Sequence, residues 1–173
     1  MTDLALLVLR VVTGGLVVGH GAQKLFGAFG GSGLGGTASW LESMGLRPGF
    51  LWATMAGLGE LGGGLLTVLG LGGPLGSIVT GTSMKMATFK AHSGKPIWAT
   101  AGGAELPMVN SAVGTALMLT GPGRYSLDRL FRIKVPWWLT ALVSLGAGVT
   151  LVVGLLMEPD EAEEAAAADG EAA

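Results

Sequence analysis

The sequence predicts an all-α, polytopic membrane protein with five transmembrane helices. Half of its 173 residues are hydrophobic and only 13% are charged, against roughly 25% charged residues in an ordinary soluble domain. The mean hydropathy is +0.60. Five apolar segments each approach the roughly 20 residues that a helix needs to cross a bilayer. The expected surroundings are therefore a lipid bilayer, and no nucleic-acid partner is expected.

The apolar segments cover residues 4–25, 50–70, 74–91, 104–120 and 137–157. The last holds 21 residues without a charge, and at about 1.5 Å per residue it spans a hydrocarbon core of about 30 Å. Only "GLGGP" separates the second segment from the third. Its glycines end one helix and Pro74 begins the next, which predicts a tight antiparallel hairpin. In the second segment, Gly59 and Gly63 form a small-residue pair of the kind that lets membrane helices approach closely.

A glycine-rich stretch at residues 26–49 connects the first two segments. It contains Trp40, Leu41 and Met44 at helical spacing. Two interpretations stay open, a short stretch lying flat at the membrane interface, where tryptophan is enriched, and an ordinary connecting loop.

The C-terminal residues 158–173 carry seven of the twelve acidic residues and no basic one. Residues 1–157 are left with ten basic and five acidic residues, a net charge of +5. Such an acidic, alanine-rich tail is expected to be solvated and disordered. Four of the five apolar segments thus lie within residues 1–130 and the fifth within 131–157, and the tail covers 158–173.

The residue content also excludes several chemistries. The chain has no cysteine, which excludes thiolate catalysis, disulfide exchange and cysteine-based metal or iron–sulfur sites within this chain. Asp3 and Arg10 are unlike the start of a cleavable signal peptide, so the first segment is expected to be retained.

The loops carry a charge asymmetry that bears on orientation. One short loop contains Arg124, Arg129, Arg132 and Lys134. Because cytoplasmic loops are enriched in basic residues, we expect a multi-pass protein of the cell membrane with this loop and the N-terminus in the cytoplasm. The acidic tail would then lie outside.

Polar residues within the apolar segments point to a site. Charges inside a bilayer usually face the bundle interior and pair with one another. Helical spacing places His20, Gln23 and Lys24 on roughly one face near the end of the first helix. The candidates for one polar cluster are His20, Gln23, Lys24, Glu60, Lys85, His92 and Glu105.

The expected pairings join Lys24 or Lys85 to Glu60, and His20 or His92 to Glu105. Arg10 lies apart, and we expect it to snorkel or to pair on the side of the basic loop. The cluster has two open interpretations, ion pairs that lock the helices together and a pocket for a small polar or quinone-like ligand or a proton relay. Two histidines without cysteine and without His-x-x-x-His spacing predict no metal site.

Several motifs resemble those of the DoxX family of small membrane proteins. They are "HGAQKLFG" at the end of the first helix, "GELGGGLLTVLGLGGP" in the second, Met86-Ala87 followed by His92 in the third, and "GGAELP" and "GPGRYSLDRL" around the fourth. The resemblance covers about residues 5–130. It implies a four-helix membrane bundle of the DoxX type in residues 1–130, with the additional, fifth transmembrane helix in residues 131–157. The matching positions are His20, Gln23, Lys24, Glu60, His92, Glu105 and the turn at 121–124.

The resemblance also implies a link to redox physiology. Some relatives act with a superoxide dismutase and a sulfurtransferase in thiol stress, and related proteins are subunits of a thiosulfate:quinone oxidoreductase. This sequence departs from the family at Lys85, where an apolar residue is usual, and at Ala104, where an aromatic residue is common. Its fifth helix is a further departure.

The leading hypothesis is an accessory subunit of a membrane oxidoreductase or thiol-stress system, with redox-enzyme partners. The sequence has no flavin, haem or metal motif, and a quinone headgroup or a sulfur oxyanion is the candidate ligand of the cluster. Two alternatives belong to other classes. Charges within helices are also typical of proton-coupled or small-molecule transporters, and glycine-rich helix faces are typical of structural scaffolds.

Overall fold

The computed structural model describes residues 1–159, which form helices connected by loops, with no strand in that range. The all-α prediction is confirmed. The helices are α1 (Thr2–Phe26), α2 (Gly33–Glu42), α3 (Gly49–Leu69), α4 (Leu75–Met86), α5 (Glu105–Thr120), α6 (Leu127–Phe131) and α7 (Trp137–Leu156). A π-helical turn, Ala87–Ala91, continues α4. From residue 160 onward, the predicted acidic tail lies outside the described residues.

Each of the five apolar segments contains one long helix, namely α1, α3, α4, α5 or α7. The stretch between the first two is helical as well, because α2 covers residues 33–42 and packs on α1 and α3. Thr37 and Leu41 are buried there, whereas Trp40 is exposed. The ordinary-loop interpretation of this stretch is therefore wrong.

The most extensive helix contact joins α1 to α3, and glycines make it close. A Cβ atom on Gly14 would lie 3.0 Å from the carbonyl oxygen of Gly64, and one on Gly21 would lie 2.9 Å from that of Gly57. Positions later in α1 thus meet positions earlier in α3, so the two helices are antiparallel. No side chain separates their backbones at these points, which is how small residues associate helices in lipid.

A second small-residue face of α3 packs against α4. A Cβ on Gly63 would meet Thr80 and the carbonyl of Gly76, and one on Gly59 would meet Val79. The Gly59–Gly63 pair therefore lies in a helix contact, as predicted, and α3 and α4 form the predicted antiparallel hairpin. The remaining large contacts of α4 are with α5 and α7. The four-helix bundle with a fifth helix stays a prediction.

Arg10 and Asp128 organise the end of the helices that carries the basic loop. Arg10 is 3% exposed and donates hydrogen bonds to the carbonyls of Pro122 and, at 2.6 Å, Tyr125. Arg10 thus pairs with backbone groups on the basic-loop side, which is one of the two arrangements expected for it. The carboxylate of Asp128 accepts the backbone N–H groups of Gly72 at 2.9 Å and Gly73 at 2.6 Å. These bonds hold the hairpin between α3 and α4 against the segment that follows α5.

Within residues 1–159, two helices, α1 and α7, are long and apolar enough to cross a membrane. Their most apolar stretches are only 22% and 6% buried within the protein, whereas a core helix of a soluble protein would be mostly buried. Their exposed apolar side chains are suited to lipid. Membrane crossing by α3, α4 and α5 stays a prediction.

The contact between α1 and α3 can be tested with Gly21→Ala. The new Cβ would lie 2.8 Å from the Cα of Leu61, and backbone cannot give way as a side-chain end can. We expect a loss of stability of about 1 to 3 kcal/mol, the usual range for overpacking, measured by unfolding in detergent. Gly19→Ala is the matched control, because a Cβ there meets nothing within 4 Å. Equal stability of the two variants would contradict the close contact.

Candidate functional site

A cavity of about 620 Å³ lies between the helices. Six helices contribute to its wall: α1, α2, α3, α4, α5 and α7. Most of the lining is apolar, including Leu41, Trp52 and Val143, and most of the charged and imidazole groups belong to the end of the helices opposite the basic loop. Pockets of about 300 to 1,000 Å³ with apolar walls and few polar groups are typical of small-molecule sites.

An ion pair between Lys24 and Glu60 lies at the edge of this cavity. The Lys24 Nζ is 2.6 Å from the Glu60 Oε2, with the two side chains 22% and 4% exposed. Each residue lies three positions after a glycine of the helix contact, Gly21 in α1 and Gly57 in α3, so the close backbone approach brings the pair together. Of the two lysines predicted as partners of Glu60, the structure selects Lys24.

The two histidines line the cavity but do not contact Glu105. His20 Nδ1 lies 2.9 Å from the Gln23 Oε1, and His92 Nδ1 lies 2.6 Å from the Gly102 carbonyl oxygen. Because a carbonyl oxygen only accepts hydrogen bonds, each Nδ1 must carry the proton. In the neutral ring, the other nitrogen, Nε2, is then a hydrogen-bond acceptor.

Glu105 has a different role from the predicted one. Its Oε2 accepts the backbone N–H of Ala99 at 2.9 Å, and its own N–H bonds to the Ile97 carbonyl at 2.9 Å. The carboxylate is used locally, where it closes the loop that precedes α5. The predicted pairing of Glu105 with His20 or His92 is therefore wrong.

Two other candidates lie outside the cavity wall. Gln23 bonds to His20 and, at 3.4 Å, to the Phe29 carbonyl, so it positions the histidine. Lys85 is exposed on α4, with its Nζ 3.5 Å from the Gly81 carbonyl. The prediction that placed Lys85 with the other charges is not supported, because α4 turns it away from α3. The cavity thus brings together His20, Lys24, Glu60 and His92 and omits Gln23, Lys85 and Glu105.

Lys90 is a cavity residue that the sequence analysis did not include in the polar cluster. It lies in the π-helical turn after α4, and its Nζ donates to the carbonyls of Met157 and, at 3.5 Å, Met44. These carbonyls do not neutralise the ammonium, so Lys90 gives the cavity a positive charge. A turn of this kind is often found at functional sites. Four uncharged polar residues were also missed: Thr82, Ser83, Asn110 and Thr150.

The lining favours a mainly apolar ligand with a polar head. Lys24 and Glu60 neutralise each other, Lys90 offers hydrogen-bond donors, and the imidazole rings of His20 and His92 offer acceptors. Within residues 1–159, no group of three or more histidine, cysteine, aspartate or glutamate side chains is placed to hold a metal ion. The arrangement can therefore bind and orient a ligand by hydrogen bonds.

Comparison with known proteins identifies a family. The DoxX family model matches residues 5–93, which is 89 of 173 residues. It covers α1 to α4 and the π-helical turn, and it leaves out α5, α6 and α7. No curated protein and no solved structure matches the chain.

The ion pair predicts unequal effects of its two single substitutions. Lys24→Met leaves the buried carboxylate of Glu60 unpaired, so we expect a stability loss of about 3 to 5 kcal/mol, typical of breaking a buried pair. Glu60→Gln should cost less, because Lys24 is more exposed and can be hydrated. The double variant should recover much of the loss.

These variants are compared by denaturant or thermal unfolding in detergent. Lys85→Met is the matched control, because it makes the same change at an exposed lysine, and we expect it to leave stability unchanged. Strict additivity of the two single losses in the double variant would mean that the charges are not coupled.

Proposed function

The chain belongs to the DoxX family of small membrane proteins, and from this premise we propose that it is an accessory subunit of a membrane redox system. Its cavity would bind a quinone headgroup. We further propose that α1, α3, α4, α5 and α7 all cross the bilayer, with the N-terminus and the basic loop in the cytoplasm. The observation that carries the proposal is the cavity of about 620 Å³, with apolar walls and with most of its charged and imidazole groups at one end.

The polar groups suit both redox forms of a quinone. The oxidised form presents carbonyl oxygens, which accept hydrogen bonds, and Lys90 supplies a donor. The reduced form presents hydroxyl groups, which donate hydrogen bonds, and the Nε2 atoms of His20 and His92 supply acceptors. The apolar walls, with Trp52 and Val143 among them, suit the ring and its tail.

A sulfur oxyanion fits the same cavity less well. An anion transferred from water to an apolar site needs a cation that is not already neutralised. Lys24 is neutralised by Glu60 at 2.6 Å. Lys90 keeps its charge, but two carbonyls already accept from two of its three N–H groups, so a single donor is left for the several oxygens of a sulfur oxyanion. The quinone is therefore the ligand that we favour among the two predicted from the sequence.

The accessory role follows from what the side chains can do. The chain has no cysteine, so it cannot exchange electrons through a thiol. Quinone reduction needs two electrons and two protons, and the residues of the cavity supply hydrogen bonds and charge. The electrons would come from a partner redox enzyme, while this chain would hold the quinone.

Quinone binding can be tested with Gly146 and Gly148, two residues of α7. A Cβ at either position meets nothing within 4 Å, but only Gly146 lines the cavity. Gly146→Leu should fill part of the cavity and raise the Kd for decylubiquinone by about tenfold or more, because the ligand loses apolar contact. Gly148→Leu is the control and should bind as the wild type does.

Binding is measured in detergent by quenching of tryptophan fluorescence, since Trp40 and Trp52 line the cavity. Thiosulfate is titrated in parallel. Tight binding of thiosulfate without binding of the quinone would assign the site to an anion instead. Absence of both signals, or equal weakening by the two glycine variants, would overturn the ligand assignment.

A further inference from the structure

Lys85 is a charged side chain in an unusual position. It lies in α4, it is exposed, and it makes no ion pair within residues 1–159. Charged residues in membrane helices normally face the bundle interior or pair with one another, because an ammonium facing hydrocarbon is costly. Within residues 1–159 of this chain, Lys85 therefore lacks the counter-charge that a charged residue in a membrane helix normally has.

The side chain does not reach the membrane surface. With its π-helical turn, α4 covers residues 75–91, about 25 Å at 1.5 Å per residue. Side chains of a helix tilt toward its N-terminus, and the Lys85 Nζ lies 3.5 Å from the Gly81 carbonyl, one turn back. Since residue 83 is the midpoint of 75–91, the ammonium stays near the middle of the proposed span.

The neighbours of α4 define the direction in which Lys85 faces. Gly76 packs against Gly63 of α3. Nine residues at about 100° each place Lys85 on the opposite side of the helix from Gly76. Ser77 faces α5 and Met86 contacts Gly154 of α7. Lys85 thus lies between α5 and α7, on the side of α4 that faces away from the other helices, and Phe89 beside it is 57% exposed.

We propose that this face of α4 binds a transmembrane helix of another membrane protein, and that this helix carries an aspartate or glutamate near its midpoint to pair with Lys85. Charge complementarity identifies the partner. The inference rests on the proposed function only in requiring a membrane-embedded partner and a membrane-spanning α4, and it does not involve the cavity.

A second copy of this chain does not fit the face. In residues 1–159 the acidic residues are Asp3, Glu42, Glu60, Glu105, Asp128 and Glu158. Among these six, Glu60 is the acidic residue that lies in the interior of a long helix, and it is buried and paired with Lys24. No exposed carboxylate at mid-membrane depth is thus available from the described part of another copy.

The experiment is photocrosslinking in native membranes. A benzophenone amino acid replaces Phe89 on the proposed face, and in a control protein it replaces Leu58 of α3, which is also 57% exposed. We expect position 89 to crosslink to a membrane protein, identified by mass spectrometry, whose transmembrane helix contains Asp or Glu. Position 58 should not crosslink to it.

Charge reversal then tests the pairing itself. Lys85→Glu should reduce the crosslinked product by about tenfold or more, because two carboxylates repel and stay unpaired in lipid. Changing the partner's carboxylate to lysine should restore it. Crosslinks to lipid alone or to a second copy, or a yield unaffected by charge reversal, would overturn the inference.

A stability measurement separates lost pairing from misfolding. In detergent, purified Lys85→Glu should unfold as the wild type does, because Lys85 has no ion pair in the isolated chain. Decylubiquinone binding by the same purified protein needs no partner. Failure of the pairing and failure of quinone binding are therefore distinguishable.

Discussion

The close backbone contact between α1 and α3 is the constraint on which the rest of the structure depends. Gly14 and Gly21 in α1 face Gly64 and Gly57 in α3, and the helices approach because no side chain lies between them. In lipid, where apolar burial does not drive helices together, such contacts and interhelical polar bonds are the main source of association. The contact also brings Lys24 within 2.6 Å of Glu60, so the packing of the fold produces the charge pair.

The cavity wall also includes elements other than α1 and α3. The π-helical turn after α4 brings Lys90 and Ala91 to its wall, and α7 closes it with Gly146 and Ala147. Lys90 also connects these elements, because it bonds to the carbonyl at the end of α7 and to that of Met44 after α2. The family match ends at residue 93, so part of this wall is built by two helices outside the matched region, α5 and α7.

The two ends of the helices use their polar groups differently. At the basic-loop end, Arg10 and Asp128 bond to backbone carbonyls and N–H groups. These bonds satisfy the backbone of the connecting turns, and neither charged side chain lines the cavity. At the other end, Lys24, Lys90 and the histidines line open space. This division is the physical reason why we propose ligand binding at one end and a structural role for the polar groups at the other.

Much of the helical framework was predictable from the sequence, because it depends on local properties. Apolar length located the five long helices, and the glycines before Pro74 located the hairpin. The tendency of charges inside a bilayer to pair indicated that a lysine would meet Glu60. Tertiary packing decided which lysine pairs with it, because Lys24 and Lys85 differ in the direction that their helices turn them, and local sequence does not determine that direction.

The same limit applies to the rest of the site. Helical spacing shows which residues share a face, but it does not show which neighbour that face meets. Glu105 was expected to pair with a histidine, but its carboxylate accepts a hydrogen bond from the backbone N–H of Ala99 in the preceding loop. Lys90 was not included in the predicted cluster, although the π-helical turn continues α4 and places it on the cavity wall with Met86. The sequence by itself determined a membrane-type helical protein with charged residues near one end of its helices. The relative rotation and distance of the helices decided which of those charged residues line the cavity.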